Sequence, residues 1–131
     1  MRAFVTGASG FVGRTLFGMA GSGGIGGFTR VIPLTDEVDL REPESLALAL
    51  AGQSPDAVIH LAAITFVPDS IARPRETYAV NLHGTINLLE ALEQRGFRGA
   101  FLYVSSGAST VPATAAAVAR ATSPAEVGAP I

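Results

Sequence analysis

The chain has 131 residues, enough for one domain around one core, and a net charge of −2 with no basic cluster. That balance argues against a nucleic-acid partner, whose phosphates demand a positive face. No apolar run reaches the roughly 18 residues that span a bilayer, and the absence of cysteine excludes disulfides, thiolate metal sites and a Cys nucleophile.

Residues 2–6 read as a short strand that runs straight into a glycine loop, GASGFVG, at residues 7–13. Gly7 allows a tight turn at positive φ. Gly10 lets the main chain approach a pyrophosphate, and Gly13 lets the next helix pack against the strand. Phe11, Leu16, Phe17, Met19 and Ala20 predict that helix, whose unpaired N–H groups and dipole end, worth roughly half a charge, face the phosphates. The loop brings Ser9, Phe11 and Val12 into the candidate site alongside the glycines. Residues 21–27, rich in glycine, read as a plain loop.

Residues 30–34 read as the second strand, although Pro33 lacks an N–H and argues against a central place in the sheet. Val38, Asp39 and Leu40 read as a short third strand. Residues 43–51 predict a helix with Pro43 near its first turn and Gly52 closing it. Residues 57–61 are apolar without alternation, as in a strand covered on both faces. A long helix is predicted over residues 74–94, where Tyr78, Leu82, Ile86, Leu89 and Glu93 share a stripe that is apolar until its last member. Gly96 ends it. Residues 100–104 give the next strand. Strands alternating with helices imply right-handed βαβ crossovers and a parallel sheet, hence a Rossmann-like three-layer αβα fold reaching its first four or five strands.

Composition changes after Ser106. Residues 1–106 read as the dinucleotide-binding part, whereas residues 107–131 are rich in Ala, Pro, Ser and Thr and hold no aromatic residue. An alanine-rich helix over residues 113–121 and a disordered tail are equally favoured there, because so short an isolated helix is marginal in water. The two histidines, His60 and His83, are too few and too far apart for a metal site, and a cytoplasmic location is the expectation.

Five motifs stand in order along the chain: the loop from Gly7 to Gly13; Asp39 and Leu40; His60, Leu61, Ala62 and Ala63; the run from Asn81 to Ala91; and Val104, Ser105 and Ser106. As an ordered set over residues 1–106 they resemble the extended short-chain dehydrogenase/reductases, specifically the NAD-dependent epimerase/dehydratase family that acts on nucleotide sugars. The stretch TFVPDS at residues 65–70 is similar to the branch around GDP-mannose 4,6-dehydratase and GDP-4-keto-6-deoxymannose reductase.

The resemblance implies residue roles. Asp39 would accept a hydrogen bond from the adenine amino group, with Leu40 against the ring. Leu61, Ala62 and Ala63 would line the cofactor at the carboxyl end of their strand, where an open parallel sheet forms its crevice. Asn81 would bind nearby main chain, and His60 is expected to pack within its strand rather than to catalyse. An acid roughly 20 residues beyond the glycine loop usually holds the ribose hydroxyls of NAD. Asp36 stands at about that distance. Arg30 or Arg41 would instead receive the 2′-phosphate of NADP, and NAD is slightly favoured over NADP.

The same resemblance implies a tyrosine acting as acid/base, its pKa lowered by a lysine four residues on. Every basic residue here is arginine, Tyr78 is followed at that spacing by Leu82, and Tyr103 by Gly107. The pair does not occur. Ser106 stands where the family has the Ser or Thr that hydrogen-bonds the substrate hydroxyl, an incomplete catalytic site. The family continues with Val-Tyr-Gly, and Ala108, Ser109, Thr110 and Val111 are encodable so that another frame reads those three residues. Residues 107–131 are therefore also expected as a frameshifted or misassembled continuation.

The expectation is thus the NAD(P)-binding portion of a nucleotide-sugar epimerase, dehydratase or reductase, catalytically incomplete as written. The alternatives are a non-catalytic dinucleotide-binding module that regulates a partner, or one half of a split enzyme. The family commonly dimerises through the helix at 74–94 and the tyrosine-bearing helix; with only the first in this sequence, a homodimer is doubtful.

Overall fold

The computed structural model describes residues 1–21 and 27–105. Four strands, β1 (Arg2–Thr6), β2 (Arg30–Pro33), β3 (Ala57–His60) and β4 (Ala100–Tyr103), form one parallel sheet in the order β2-β1-β3-β4. Phe4 pairs in register with Ile32 on one side and Val58 on the other, and Val58 with Phe101. The chain leaves β1 to one side for β2 and then crosses to the other for β3. That reversal opens a crevice at the carboxyl ends of β1 and β3, the place where open α/β sheets bind ligands.

The helices are α1 (Phe11–Gly21), α2 (Pro43–Ala49), α3 (Val67–Ala72), α4 (Pro74–Tyr78) and α5 (Gly84–Gln94), with a π-helical turn at Ala79–His83 between the last two. Side chains alternate across the strands, so each sheet face has its own core. On one face Phe4, Val58 and Phe101 meet Leu46 and Leu50 from α2 and its end, and Leu88, Ala91 and Leu92 from α5. Fully burying each of these leucines contributes roughly 1.5–3 kcal/mol. On the other face Ala3, Val5, Ala57 and Ile59 lie under Leu16 and Phe17 of α1. This is the expected three-layer αβα arrangement, with the apolar runs of β1 and β3 buried on both sides.

Pro33 ends β2, which lies at one side of the sheet, so its missing donor breaks no ladder between two strands. Val38, Asp39 and Leu40 form no strand. Val38 N–H donates to Thr35 O at 3.0 Å, Glu42 N–H to Asp39 O at 3.1 Å, and Arg41 N–H to Asp39 Oδ1 at 2.9 Å, so turn bonds take the donors a ladder would use. The long helix is interrupted by the π turn, and α3 precedes it where no helix was expected.

The stripe through Tyr78, Leu82, Ile86 and Leu89 faces outward, each of the four exposed by at least 41%. The buried face is instead Gly84, Leu88, Ala91 and Leu92. Gly84 decides this: a Cβ there would lie 3.0 Å from Leu40 Cβ, so the helix reaches the loop after β2 along its glycine side. Ser106, the segment 107–131 and residues 22–26 of the glycine-rich connection lie outside the described residues.

Candidate functional site

The crevice begins at Gly7, whose φ of +68° is left-handed and whose missing Cβ leaves room for β3's continuation. A Cβ on Gly7 would sit 2.7 Å from Ala62 N and 2.8 Å from Leu61 C. The turn closes through Gly10 N–H donating to Gly7 O at 3.1 Å, and α1 starts at once. Gly13 packs closer still: its Cβ would fall 2.4 Å from Gly7 O and 2.6 Å from Ala8 O. Gly13 therefore seats the helix on the loop's own carbonyls rather than on the strand. The first-turn N–H groups of an α-helix have no intrahelical acceptor, and α1 begins directly after this turn. Phe11 and Val12 carry those amides while their side chains are exposed by 81% and 54%.

A cleft of about 390 Å³ extends from this turn, lined by Thr6, Gly7 and Ala62 at its floor and by the loop after β2 along one wall. Asp36, Asp39, Leu40 and Arg41 belong to that wall, and Ile64, Glu76 and Val80 to the opposite one. Leu40 is mostly buried in the core and presents only its edge. Ser9 borders an adjoining hollow that shares Asp36 with the cleft, and Ser9 Oγ donates to Asp36 Oδ1 at 3.0 Å. Leu61 packs beside the core under α1, and Ala63 is exposed outside the cleft.

Asp39 is already engaged. Arg41 grips its carboxylate with Nε at 2.9 Å from Oδ1 and a terminal guanidinium nitrogen at 2.6 Å from Oδ2. The Arg41 side chain first, and its main-chain N–H second, hold the carboxyl at about 2, below the usual 3.8, while Arg41 itself is pushed up. Arg30, read as a candidate for a 2′-phosphate, begins β2 and pairs with Arg2 at the amino end of the sheet. Three residues of strand put it about 10 Å from the carboxyl end. It belongs to the wrong edge.

Arg14 is the residue that the sequence reading missed: Nη1 donates to Ser9 O at 2.7 Å, placing a guanidinium beside the glycine loop and Asp36. A basic residue directly after the third glycine was the available signal. Glu76 and Val80, one helical turn apart, were missed as well, because α4 was read only as part of a longer helix.

Asn81 stitches the far wall. Its Oδ1 accepts from Ile64 N–H at 2.7 Å and its Nδ2 donates to Ile64 O at 2.9 Å. Asn81→Ala is expected to lower stability by about 2 kcal/mol, two bonds at about 1 kcal/mol each. Urea unfolding of the variant beside the wild type measures it.

The comparisons with known proteins agree with this fold. Residues 3–128 match the model of the NAD dependent epimerase/dehydratase family. The chain belongs to the NAD-dependent epimerase/dehydratase family. Among members of the family, it is 48% identical over 106 residues to a GDP-6-deoxy-D-mannose reductase of Pseudomonas aeruginosa, covering 81% of this chain and 34% of the relative. It is 37% identical over 95 residues to a GDP-6-deoxy-D-talose 4-dehydrogenase of Aggregatibacter actinomycetemcomitans, covering 70% of this chain and 30% of that one.

Solved family structures superpose on the same part. RMD from Pseudomonas aeruginosa complexed with NADPH matches with TM-score 0.73 and 48% identity over 82% of this chain and 36% of its own. Thermus thermophilus UDP-glucose 4-epimerase in complex with NAD matches with TM-score 0.68 and 32% identity, over 82% and 38% respectively. The chain thus spans about a third of the length of these family members. Among its described residues no helix is long and apolar enough to cross a membrane.

Proposed function

We propose that the cleft binds a nicotinamide dinucleotide, NAD or NADP, and that the chain is the cofactor-binding portion of a nucleotide-sugar epimerase, dehydratase or reductase. The observation that carries this is the close fit at Gly7 and Gly13: β3's continuation and the loop's own carbonyls leave neither position room for a Cβ, which sets the glycine turn and the start of α1 at the carboxyl ends of β1 and β3. Residues 9–13, with the amides of the first turn of α1, would hold the paired phosphates. Thr35, Asp36, Asp39 and Leu40 would hold the adenosine, Asp36 toward the ribose and the edge of Leu40 toward the base. Ala62 would leave room for the dinucleotide at the carboxyl end of β3, and Asn81 holds that wall in place.

When bound, the nicotinamide supplies hydride transfer. The residues here bind and orient; they do not move the proton. Tyrosine followed four residues later by lysine is absent from the sequence, so this chain alone is expected to bind cofactor without turning over a sugar. Ser106 is assigned to the substrate hydroxyl. The substrate is a nucleotide sugar, in keeping with the GDP-sugar enzymes among the relatives. The placement is cytoplasmic.

The choice between the two cofactors rests on neighbours at one corner. Asp36, with one oxygen held by Ser9, favours the free ribose hydroxyls of NAD, whereas Arg14 beside it, with donors left after its bond to Ser9 O, favours a 2′-phosphate. Thermal unfolding with NAD and with NADP tests the reading. A ligand specific to the folded state at tenfold excess over its Kd stabilises by about 1.4 kcal/mol, and a midpoint rise with either cofactor is expected. No rise with either at millimolar concentration contradicts it.

A further inference from the structure

Beneath the cleft runs a chain of three side chains whose hydrogens each have one place. Thr85 Oγ1 donates to Asn81 O at 2.8 Å, so its oxygen accepts from His60 Nε2 at 2.8 Å. His60 then carries its hydrogen on Nε2, which leaves Nδ1 to accept the Thr6 hydroxyl at 2.6 Å. Thr6 Oγ1 in turn accepts Leu61 N–H at 3.2 Å and Ala62 N–H at 3.1 Å. The opposite tautomer would set two donors against each other at Thr6, whose lone pairs already take two amides.

The imidazole is 1% exposed, and it joins the end of β1, helix α5 and the segment that leaves β3. That segment forms the cleft wall. Ala62 N lies where a side chain on Gly7 would go, and Asn81, whose carbonyl anchors the chain of bonds, also holds Ile64. Phe101 and Tyr103 lie with ring centres 6.0 and 5.7 Å from the imidazole, so an aromatic ring suits the space without any hydrogen bond.

We propose that His60 is a positioning residue for cofactor binding: by accepting from Thr6 and donating to Thr85 it fixes the main chain of residues 61–64 against the glycine turn. The proposal rests on the cofactor reading of the cleft. It separates bonding from packing. His60→Phe keeps the ring and loses both bonds. His60→Asn restores an acceptor near the position of Nδ1. Thr85→Val cuts the relay at its far end, outside the cleft, without changing volume.

The test combines calorimetric titration of NADP and NAD with amide hydrogen exchange at Leu61, Ala62 and Ile64, and the imidazole ¹⁵N spectrum. His60→Phe is expected to bind cofactor about tenfold more weakly and to exchange those amides about tenfold faster, whereas Thr85→Val and His60→Asn, each keeping only the bond to Thr6, fall between it and the wild type at about threefold. The wild-type spectrum should show hydrogen on Nε2 alone. Wild-type affinity and exchange in Thr85→Val, or a hydrogen on Nδ1, overturns the proposal. If His60→Phe does not fold, Thr85→Val and His60→Asn decide it. If the wild type binds neither cofactor, the reading of the cleft fails, and unchanged exchange in Thr85→Val still rejects the relay on its own.

Discussion

Gly13→Ala is expected to lower stability by about 3 kcal/mol and to abolish cofactor binding. The added methyl would stand 2.4 Å from Gly7 O and 2.6 Å from Ala8 O, and both are backbone atoms of a closed turn. No flexible side chain can yield there, so either α1 or the loop must shift. Overpacking of this kind costs roughly 1–3 kcal/mol, and the rigid partners place it at the upper end. Gly7→Ala adds a left-handed backbone, at about 1–2 kcal/mol, to a contact of 2.7 Å with Ala62 N. Gly18→Ala in the same helix is the control. A Cβ there meets nothing within 4 Å, and alanine gains up to about 1 kcal/mol of helix propensity over glycine. Urea unfolding of the three variants measures the series. Equal stability for Gly13→Ala and the wild type would show that the loop is not seated as described.

Acid should destabilise the protein through His60 before its carboxylates titrate. Burial alone lowers this imidazole from 6.5 to about 4. Because the folded state resists the proton that the unfolded chain accepts, the stabilisation is complete above pH 6.5. It declines as the pH falls and is exhausted below about 4. At 1.36 kcal/mol per unit the whole window amounts to about 3 kcal/mol, of which about 2 kcal/mol is lost between pH 7 and pH 5. Asp39 behaves in the same sense but lower, contributing above 3.8 and losing its share as the pH falls through about 2. The two windows are separable. Denaturant unfolding at pH 7 and pH 5 should show the larger loss in the wild type and little of it in His60→Asn, which has no group to protonate there. The same loss in both proteins would assign the acid sensitivity elsewhere.

Much of the fold was legible because its strongest signals are local. The strand at residues 2–6, the glycine turn and the unalternating run at 57–61 each follow from chain stereochemistry or from burial on both faces, and β1, the turn at Gly7 and β3 stand there. The failures lie where tertiary packing chose between local alternatives. Val38 and Leu40 carry an extended pattern, but Asp39 draws the Arg41 main chain and side chain into a turn. The helix after residue 74 offers two apolar faces, and only the fit of Gly84 against Leu40 shows which one meets the sheet. The π turn at Ala79–His83 leaves no mark in the spacing of its residues.

The site divides in the same way. The sequence named the glycines and Ala62 from motif order and Asp36 from its spacing, and the structure sets Gly7, Asp36, Asp39 and Ala62 around one cleft. That Asp39 is already paired with Arg41, that Arg14 reaches back to Ser9 O, and that Arg30 starts its strand at the far edge follow only from three-dimensional placement. The exposed stripe of Tyr78, Leu82, Ile86 and Leu89 belongs to this class too: its periodicity was plain, and its direction was not.

Titration of ADP-ribose into the folded chain tests the central claim most directly, since this fragment carries the paired phosphates and the adenosine without the nicotinamide. Saturable one-to-one binding that disappears in Gly13→Ala and survives in Gly18→Ala is the result the glycine turn predicts. A folded wild type that takes up no ADP-ribose at millimolar concentration would contradict it.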